Sequence, residues 1–266
     1  MTDRRARPPF RKPPLRVFTT TLWEYPSQHY ESPNLPPSAI EGSKEYAGAT
    51  PNWIVWQLLQ RYTRENDLVV DPMCGSGTTI DVARDLKRRA LGYDLSPSRE
   101  DIFRADARKL PLEAEKADFV FIDPPYSTHI EYSDSPADIG KLDASGPDGG
   151  AAYYAAMDQV IAEIARVLKD RRYMALYVSD SWRKRSAGDA GTGTGVFMPI
   201  GFELFSRLRR HFKPVDIIAV VRQNRKLDRG NWHKAAEEGN FFMRGFNYLF
   251  IMKKEAAAPG KPGPAR

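Results

Sequence analysis

The chain has 266 residues, a formal net charge of +6 and 41% hydrophobic residues. This composition is that of an ordinary globular protein and excludes wholesale disorder, and no apolar run approaches the roughly 18 to 20 residues of a membrane span. Without such a run, we expect a cytoplasmic protein. The single cysteine, Cys74, cannot form an internal disulfide, and it has no zinc-ligand spacing with the four scattered histidines, so we expect no metal site.

The two ends of the chain are expected to lack regular structure. Residues 1–16 are basic and proline-rich, which predicts a flexible arm. Residues 255–266 are rich in Ala, Pro, Gly and Lys, which predicts a disordered tail. Residues 17–254 are expected to form a single domain.

Between the two ends, short apolar or β-branched runs alternate with stretches of helical period, which is the pattern of a layered α/β fold. Thr50 and Pro51 mark a helix start, with Thr50 as the predicted N-cap. The predicted strands are 68–73, 89–95, 102–105, 118–123, 173–179, 215–221 and 248–252. Three segments fit no regular element and are predicted to be binding loops, namely 127–150, 181–199 and 223–246.

The first motif joins the first of these strands to a helix. Residues 68–79 read LVVDPMCGSGTT, in which Gly75 and Gly77 allow a tight turn and close approach of a ligand. The start of the helix offers N–H groups to an anionic or hydroxyl-rich group. Because Ile80 and Asp81 follow, the segment fits neither a Walker-type phosphate loop nor a dinucleotide fingerprint.

Acidic residues occur at the ends of three successive strands. Asp71 belongs to the Gly-containing turn, Asp94 closes the second strand and Asp106 follows the third. A carboxylate at the position of Asp94 can accept hydrogen bonds from both hydroxyls of a ribose, and Asp106 can accept one from the exocyclic amine of an adenine. Together with the turn, these acids favour an adenosine-containing ligand.

The second motif ends the fourth strand with the sequence DPPY. Pro124 and Pro125 stiffen the backbone, Asp123 and the carbonyl beside it can accept hydrogen bonds from an amine, and Tyr126 can stack on a ring. The motif therefore predicts a rigid platform for a planar, amino-bearing ring. The alternative is a rigid turn with no binding role.

DPMCGSGTT followed by DPPY resembles the S-adenosylmethionine-dependent amino-methyltransferases, which modify N6 of adenine or N4 of cytosine in DNA. The resemblance implies a doubly wound, seven-stranded, mostly parallel Rossmann-like sheet whose last strand is antiparallel. It implies S-adenosyl-L-methionine as the cofactor. The residues that it assigns to cofactor binding are Thr50, Asp71, Met73, Gly75, Ser76, Gly77, Thr78, Asp94, Leu95, Asp106 and Ala107.

The resemblance also implies a DNA base flipped out of the duplex and held by Asp123, Pro124, Pro125 and Tyr126, which are the predicted catalytic residues. His129 and Tyr132 are candidates, with Tyr126, for lining the base pocket. Basic residues after the fifth and sixth strands are candidates for phosphate contacts, namely Arg183, Lys184, Arg185, Arg222, Arg225 and Lys226.

Two features depart from the family pattern. Only residues 96–101 join the second and third strands, which is too short for a crossover helix. No block of sequence is long enough for a separate target-recognition domain, so recognition must come from the loops or from another chain. A homodimer and a specificity partner are both left open.

The motifs are compatible with more than one reaction. Adenine N6 of DNA is favoured over cytosine N4 because DPPY, rather than SPPY, is the commoner adenine form in the family. Methylation of an amino group in RNA and a catalytically silent cofactor-binding subunit are the alternatives. Methylation at carbon 5 of cytosine is disfavoured because Cys74 follows Met73 rather than a proline.

Overall fold

The computed structural model describes residues 13–34, 41–43, 46, 48–128, 130, 132–145, 148–184, 195–222 and 230–256, and the side chains of 184, 230 and 231 are left out of this description. The strands of the described residues are β1 (Leu22–Trp23), β2 (Leu68–Asp71), β3 (Arg89–Asp94), β4 (Ile102–Arg104), β5 (Ala117–Ile122), β6 (Leu168–Val178), β7 (Ser181–Lys184), β8 (Gly195–Met198), β9 (Lys213–Val221) and β10 (Phe246–Lys253). The helices are α1 (Asn52–Tyr62), α2 (Thr78–Asp85), α3 (Ala151–Val167), α4 (Ile200–Leu208) and α5 (Gly230–Glu238), with a 3₁₀ turn at Ile139–Lys141.

Eight of the strands form one sheet in the order β1-β9-β10-β6-β5-β2-β3-β4. Neighbouring strands are parallel except around β10, which is antiparallel to both β6 and β9. The predicted mostly parallel sheet with an antiparallel last strand is confirmed, and all seven predicted strands are present. The eighth, β1, contains two residues that pair with β9 at the edge, and so short a run gives no periodic signal.

Both faces of this sheet are covered, because residues that alternate along each central strand enter two different cores. On β5, Phe119 and Phe121 pack with α1 and α2, whereas Val120 and Ile122 pack with α3 and α4. Since side chains point to opposite faces in turn, this alternation makes the sheet doubly wound. The chain leaves β2 toward β3 on one side and returns to β5 on the other, and ligands bind at such a switch point.

The short connection between β3 and β4 contains no helix, as the sequence predicted. The two strands are nevertheless parallel, with Asp94 opposite Arg104. Arg99 holds the connection in place: its guanidinium donates to both carboxylate oxygens of Asp81 on α2 at 2.6 and 2.8 Å, and to Asp101 at 2.8 and 2.9 Å. These ion pairs fix the short connection against α2.

The segment before α1 is tied to the body of the protein. Arg16 O accepts a hydrogen bond from the Gln57 side chain at 2.5 Å, and Tyr25 OH donates to Pro13 O at 2.9 Å. Leu15 packs against the core beneath α1. The predicted flexible arm is therefore wrong for residues 13–16, and its first twelve residues lie outside the described part of the chain.

The three predicted loops contain more regular structure than expected. The segment 181–199 includes the hairpin of β7 and β8, and 223–246 includes α5. In the segment 127–150 the described residues contain only the 3₁₀ turn, which Asp138 caps by accepting from Gly140 N at 2.8 Å. No helix among the described residues is long and apolar enough to cross a bilayer.

Candidate functional site

The turn after β2 takes the shape that its glycines permit. Gly75 and Gly77 have φ angles of +50° and +83°, in the left-handed region that side chains disfavour. Gly75 N donates to Asp94 Oδ2 at 3.0 Å, and Gly75 O accepts from Ser98 Oγ at 2.6 Å. The turn is thus fastened to the end of the neighbouring strand β3.

The two glycines have different surroundings. Gly75 lines a cavity, where a side chain would meet the ring of Tyr46. Gly77 does not line that cavity; a Cβ at this position would clash with the guanidinium of Arg99. Its positive φ and this close approach account for the glycine at 77 without a ligand contact.

The first cavity has a volume of about 280 Å³ and opens at the carboxyl ends of β2, β3 and β5. Every predicted cofactor residue except Gly77 lines it: Thr50, Asp71, Met73, Gly75, Ser76, Thr78, Asp94, Leu95, Asp106 and Ala107. Lining residues that were not predicted include Tyr46, Gly48, Ala49, Thr79 and Asp138. The sequence carries no signal for Tyr46, Gly48 and Ala49 because they lie in a segment without periodicity or a motif.

Buried or half-buried carboxyl groups dominate the electrostatics of the first cavity. Asp71 is 4% exposed, and burial raises its pKa to about 7 even though Thr79 Oγ1 donates to it at 2.6 Å. Burial also raises the pKa of Asp94. Binding a cationic group would relieve the cost of ionising these acids, so the cavity favours a positively charged ligand.

Asp94 and Asp106 line the cavity side by side, because Ala105 N donates to Asp94 O at 3.0 Å across the ends of β3 and β4. Each oxygen of Asp94 accepts one backbone N–H, from Gly75 and Ser96, which leaves lone pairs for a ligand. Burial acts to raise the pKa of Asp106, but hydrogen bonds from Arg108 outweigh it and lower that pKa.

Asp123 lies in the wall of the first cavity and is held from two sides. Thr50 Oγ1 donates to Asp123 Oδ2 at 2.6 Å, and Tyr126 OH donates to Oδ1 at 2.7 Å. Part of the residue's surface remains open, yet protein atoms surround the carboxyl group, and this burial raises its pKa to about 7. The predicted N-cap role of Thr50 is wrong: Pro51 occupies the N-cap position of α1, and the hydroxyl of Thr50 is directed to Asp123.

The two prolines of DPPY have different positions. Pro125 lines the first cavity, and its carbonyl accepts from Tyr153 OH on α3 at 2.7 Å. Pro124 is buried and does not line the first cavity. Since Tyr153 is fully buried, its hydroxyl fixes the motif against the helical layer.

A second cavity, of about 290 Å³, meets the first at Asp123. Gly48, Ala49, Asp123, Tyr126 and Arg222 line both cavities. Its other walls come from distant parts of the chain, namely Tyr25, Ser27, Gln28, Pro51, Trp53, Tyr177, Val220, Val221 and Asn247. Asp123 and Tyr126 therefore face a space on each side.

Asn247 is the polar group of the second cavity whose hydrogen bonding is incomplete. The residue is 5% exposed, and its Oδ1 is buried without a hydrogen-bond partner among the described residues. Its side chain also hydrogen-bonds to the hydroxyl of Tyr177, whose pKa is raised by burial and by the nearby Asp123. A buried acceptor without a donor is costly, so this oxygen is a candidate for receiving a hydrogen bond from a ligand.

Only some of the predicted base-pocket and phosphate residues line a cavity in the structure. Tyr132 lines the first cavity, where it stacks on Tyr46 with ring centroids 6.4 Å apart, and does not line the second. Arg222 lines both cavities. Arg183 instead pairs with Asp143 at 3.1 Å and donates to Ser145 Oγ at 2.7 Å. The remaining predictions fall on residues or side chains outside the described part, namely His129, Lys184, Arg185, Arg225 and Lys226.

The hydrogen-bond acceptors of the first cavity fit S-adenosylmethionine. Its hydroxyls and its amines need acceptors, which Asp94 and Asp106 provide, and its positive charges match the excess of carboxylates. Within the described ranges, no group of three or more His, Cys, Asp or Glu residues could hold a metal ion. Cys74 is buried, and this burial raises the pKa of its thiol well above the usual value.

Two comparisons of sequence bear on the identity of the chain. The family model N6_N4_Mtase, described as DNA methylase, matches residues 3–105. The type II methyltransferase M2.LlaDCHI of Lactococcus lactis subsp. cremoris is 38% identical over 61 residues, which are 21% of this chain and 23% of that protein. The chain thus matches about a quarter of the length of this curated relative.

Solved structures with a similar backbone include TrmN from Thermus thermophilus, at 16% identity and a TM-score of 0.48, with 78% of this chain and 50% of that chain covered. A SAM-dependent methyltransferase from Methanosarcina mazei has 15% identity and a TM-score of 0.44, with 75% and 98% covered. The two sequence matches support an amino-methyltransferase family, with S-adenosylmethionine as the cofactor.

Proposed function

We propose that the protein transfers a methyl group from S-adenosylmethionine to the exocyclic amino group of a base in DNA, with adenine N6 favoured. The observation that carries this proposal is the position of Asp123 and Tyr126, which line both cavities. A methyl donor in the first cavity and a base in the second would meet at Asp123, the one carboxylate among the described residues that line both cavities.

The first cavity is proposed to hold the cofactor. Asp94 accepts the ribose hydroxyls, Asp106 accepts the amine of the cofactor's adenine, and the turn at Gly75 approaches the methionine part. When bound, S-adenosylmethionine supplies an electrophilic methyl group on a sulfonium. The carboxyl groups around it stabilise that positive charge by electrostatic attraction.

The second cavity is proposed to hold the target base, with Tyr126 stacked on its ring. Asp123 accepts one N–H of the exocyclic amine, which draws the nitrogen toward sp³ geometry and directs its lone pair to the first cavity. Thr50 and Tyr126 fix the carboxylate by their hydrogen bonds. Catalysis is then mainly positioning, with reacting atoms about 3 to 3.5 Å apart and no covalent intermediate on the protein.

The ionisation state of Asp123 should make the rate of methyl transfer depend on pH. Its pKa is raised to about 7 by burial, so the carboxyl group is protonated below that pH and ionised above it. Only the ionised form has both oxygens free to act as acceptors. The proposal therefore expects methyl transfer to decline as the pH falls through about 7.

The direct experiment uses purified protein, methyl-labelled S-adenosylmethionine and separate pools of DNA and RNA. The modified nucleoside is identified by mass spectrometry, with Asp123→Ala prepared in parallel as the matched control. We expect N6-methyladenine from DNA with the natural protein and none with the control.

Each other outcome has a definite meaning. N4-methylcytosine in DNA would retain the amine mechanism and correct the base. Label in RNA alone would overturn the DNA substrate. Cofactor binding without label in either pool would overturn the activity of the isolated chain and support a cofactor-binding subunit.

A further inference from the structure

The hairpin of β7 and β8 presents an aromatic surface together with the segment before β10. Trp182 and Phe197 are paired across the two strands and so share one face of the hairpin. Trp182 stacks on Phe241, with ring centroids 6.1 Å apart and 23° between the planes. The guanidinium of Arg244 lies 4.8 Å from the ring centre of Phe197. We call the residues of this surface, with Phe242 and Phe246, the aromatic platform.

The side chains of the platform are unusually exposed for their type. Trp182 and Phe197 are 43% and 45% exposed, and Phe242 is 89% exposed. Single exposed apolar residues are ordinary, but a group of exposed aromatic rings, such as Trp182 and Phe197 on one face of the hairpin, indicates a binding surface. Phe103, on β4 at the far edge of the sheet, is 54% exposed and lies outside this surface.

The segment that carries part of the platform adjoins the second cavity along the backbone. Arg222, which lines that cavity, donates its N–H to Gly245 O at 2.9 Å. Asn247 also lines the cavity, but its side chain points to the opposite face of the sheet from that of Phe246, because the two residues are consecutive in β10. A strand that delivers a base to Asp123 past Arg222 would therefore lie beside the segment before β10.

The charge of the adjoining chain favours a nucleic acid as the occupant. Basic residues adjoin the platform in sequence at Lys184 and Arg185, and again at Arg222, Arg225, Lys226 and Arg229. Aromatic rings with an arginine bind unpaired nucleotides because every base has a face that stacks, while basic residues neutralise the phosphates.

We propose that the aromatic platform holds unpaired nucleotides next to the target base by stacking. This inference rests on the proposed function and adds to it the surface that engages the strand. It also supplies a substrate contact within the chain, although the sequence contains no block for a separate recognition domain.

The test compares Phe242→Ala and Trp182→Ala with the matched control Phe103→Ala, each in the full chain. Affinity for a labelled single-stranded DNA of about 20 nucleotides is measured by fluorescence anisotropy. We expect each platform variant to lose about 5- to 100-fold in affinity, from the stacking of one base, and the control to match the natural protein. Cofactor affinity should be unchanged in all three.

Phe242→Ala decides the test if Trp182→Ala misfolds, because the side chain of Phe242 is almost fully exposed. Equal DNA affinity in Phe242→Ala and Phe103→Ala would overturn the inference, and normal DNA methylation by Phe242→Ala would then leave the proposed function intact. Light scattering tests whether a second copy of the chain binds the platform instead. Loss of a dimer in Phe242→Ala, with DNA affinity retained, would assign the platform to that second copy and overturn the inference. A natural protein that methylates no DNA would overturn the proposed function itself.

Discussion

The two cavities that meet at Asp123 differ in how the chain builds them. The first is formed mainly by residues that directly follow β2, β3, β4 and β5, so its acids occur at regular places in the sequence. The second combines the segment at Tyr25 with the end of β9 and the start of β10, which are far apart in the chain. The first carries an excess of carboxylates, whereas the second offers an arginine, aromatic walls and the Asn247 amide oxygen, which has no hydrogen-bond partner in the described part of the chain.

This contrast suggests separate roles for a cationic donor and a planar acceptor. Because only a few residues line both cavities, most substitutions should affect binding on one side alone. A variant in one cavity that changes only the binding of the ligand proposed for the other cavity would therefore contradict the assignment of the two ligands.

The largest effect is expected at the residue between the two cavities. Asp123→Ala removes the acceptor for the amine and should lower kcat by about 10²- to 10³-fold, as for loss of one electrostatic contact in an active site. Cofactor affinity should stay near that of the natural protein. Single-turnover transfer and calorimetric titration of the cofactor measure the two quantities, and near-normal turnover would contradict the catalytic role of Asp123.

A substitution in the first cavity should act on the cofactor. Asp94→Ala removes hydrogen bonds to the ribose and also the partner of Gly75 N, so we expect cofactor affinity to fall about 10- to 100-fold. DNA affinity measured without cofactor should not change. If DNA binding weakened and cofactor binding did not, the assignment of the two cavities would be reversed.

Thr50→Val tests the support of Asp123. The hydroxyl of Thr50 acts to lower the pKa of Asp123, so its loss should raise that pKa and move the acid limb of the pH-rate profile to higher pH. We expect a rate about 5- to 10-fold lower near pH 7, with convergence toward the natural rate at higher pH. Thr50→Ser should restore the profile. A uniform loss at every pH would indicate a purely structural role.

The smallest effects distinguish two arginines that the sequence treats alike. Arg222→Ala should weaken DNA binding several-fold and reduce the dependence on salt by about one phosphate contact. Arg183→Ala should leave DNA affinity unchanged and lower thermal stability, since its guanidinium pairs with Asp143 and Ser145. Anisotropy titrations over a range of salt concentrations, with thermal melts, separate the two results.

The sequence predicted the sheet and the four acids at its strand ends because both follow local rules. Strand ends in a parallel sheet converge on one edge, so Asp71, Asp94, Asp106 and Asp123 could be placed together from spacing alone. The hydroxyl of Thr50 shows the limit of such rules. A local capping rule assigned it to α1, but a tertiary contact with Asp123, 73 residues away, determines its position.

The second cavity and the aromatic platform could not be predicted for the same reason. Asn247 lies in an ordinary alternating strand, and nothing in that pattern shows that its amide oxygen lacks a partner. Gly77 belongs to the first motif, but a glycine at this position is explained by the close approach of Arg99. Arg99 lies in the short connection between β3 and β4. Long-range contacts determine each of these features.

The most direct test is a crystal structure of the protein with S-adenosylhomocysteine and a DNA oligonucleotide bound together. We expect the thioether sulfur in the first cavity, near Gly75 and Asp94. We expect a flipped base in the second cavity, beside Asn247, with its exocyclic nitrogen within hydrogen-bond distance of Asp123. A base bound in the first cavity, or a second cavity closed off from Asp123 in the complex, would contradict this expectation.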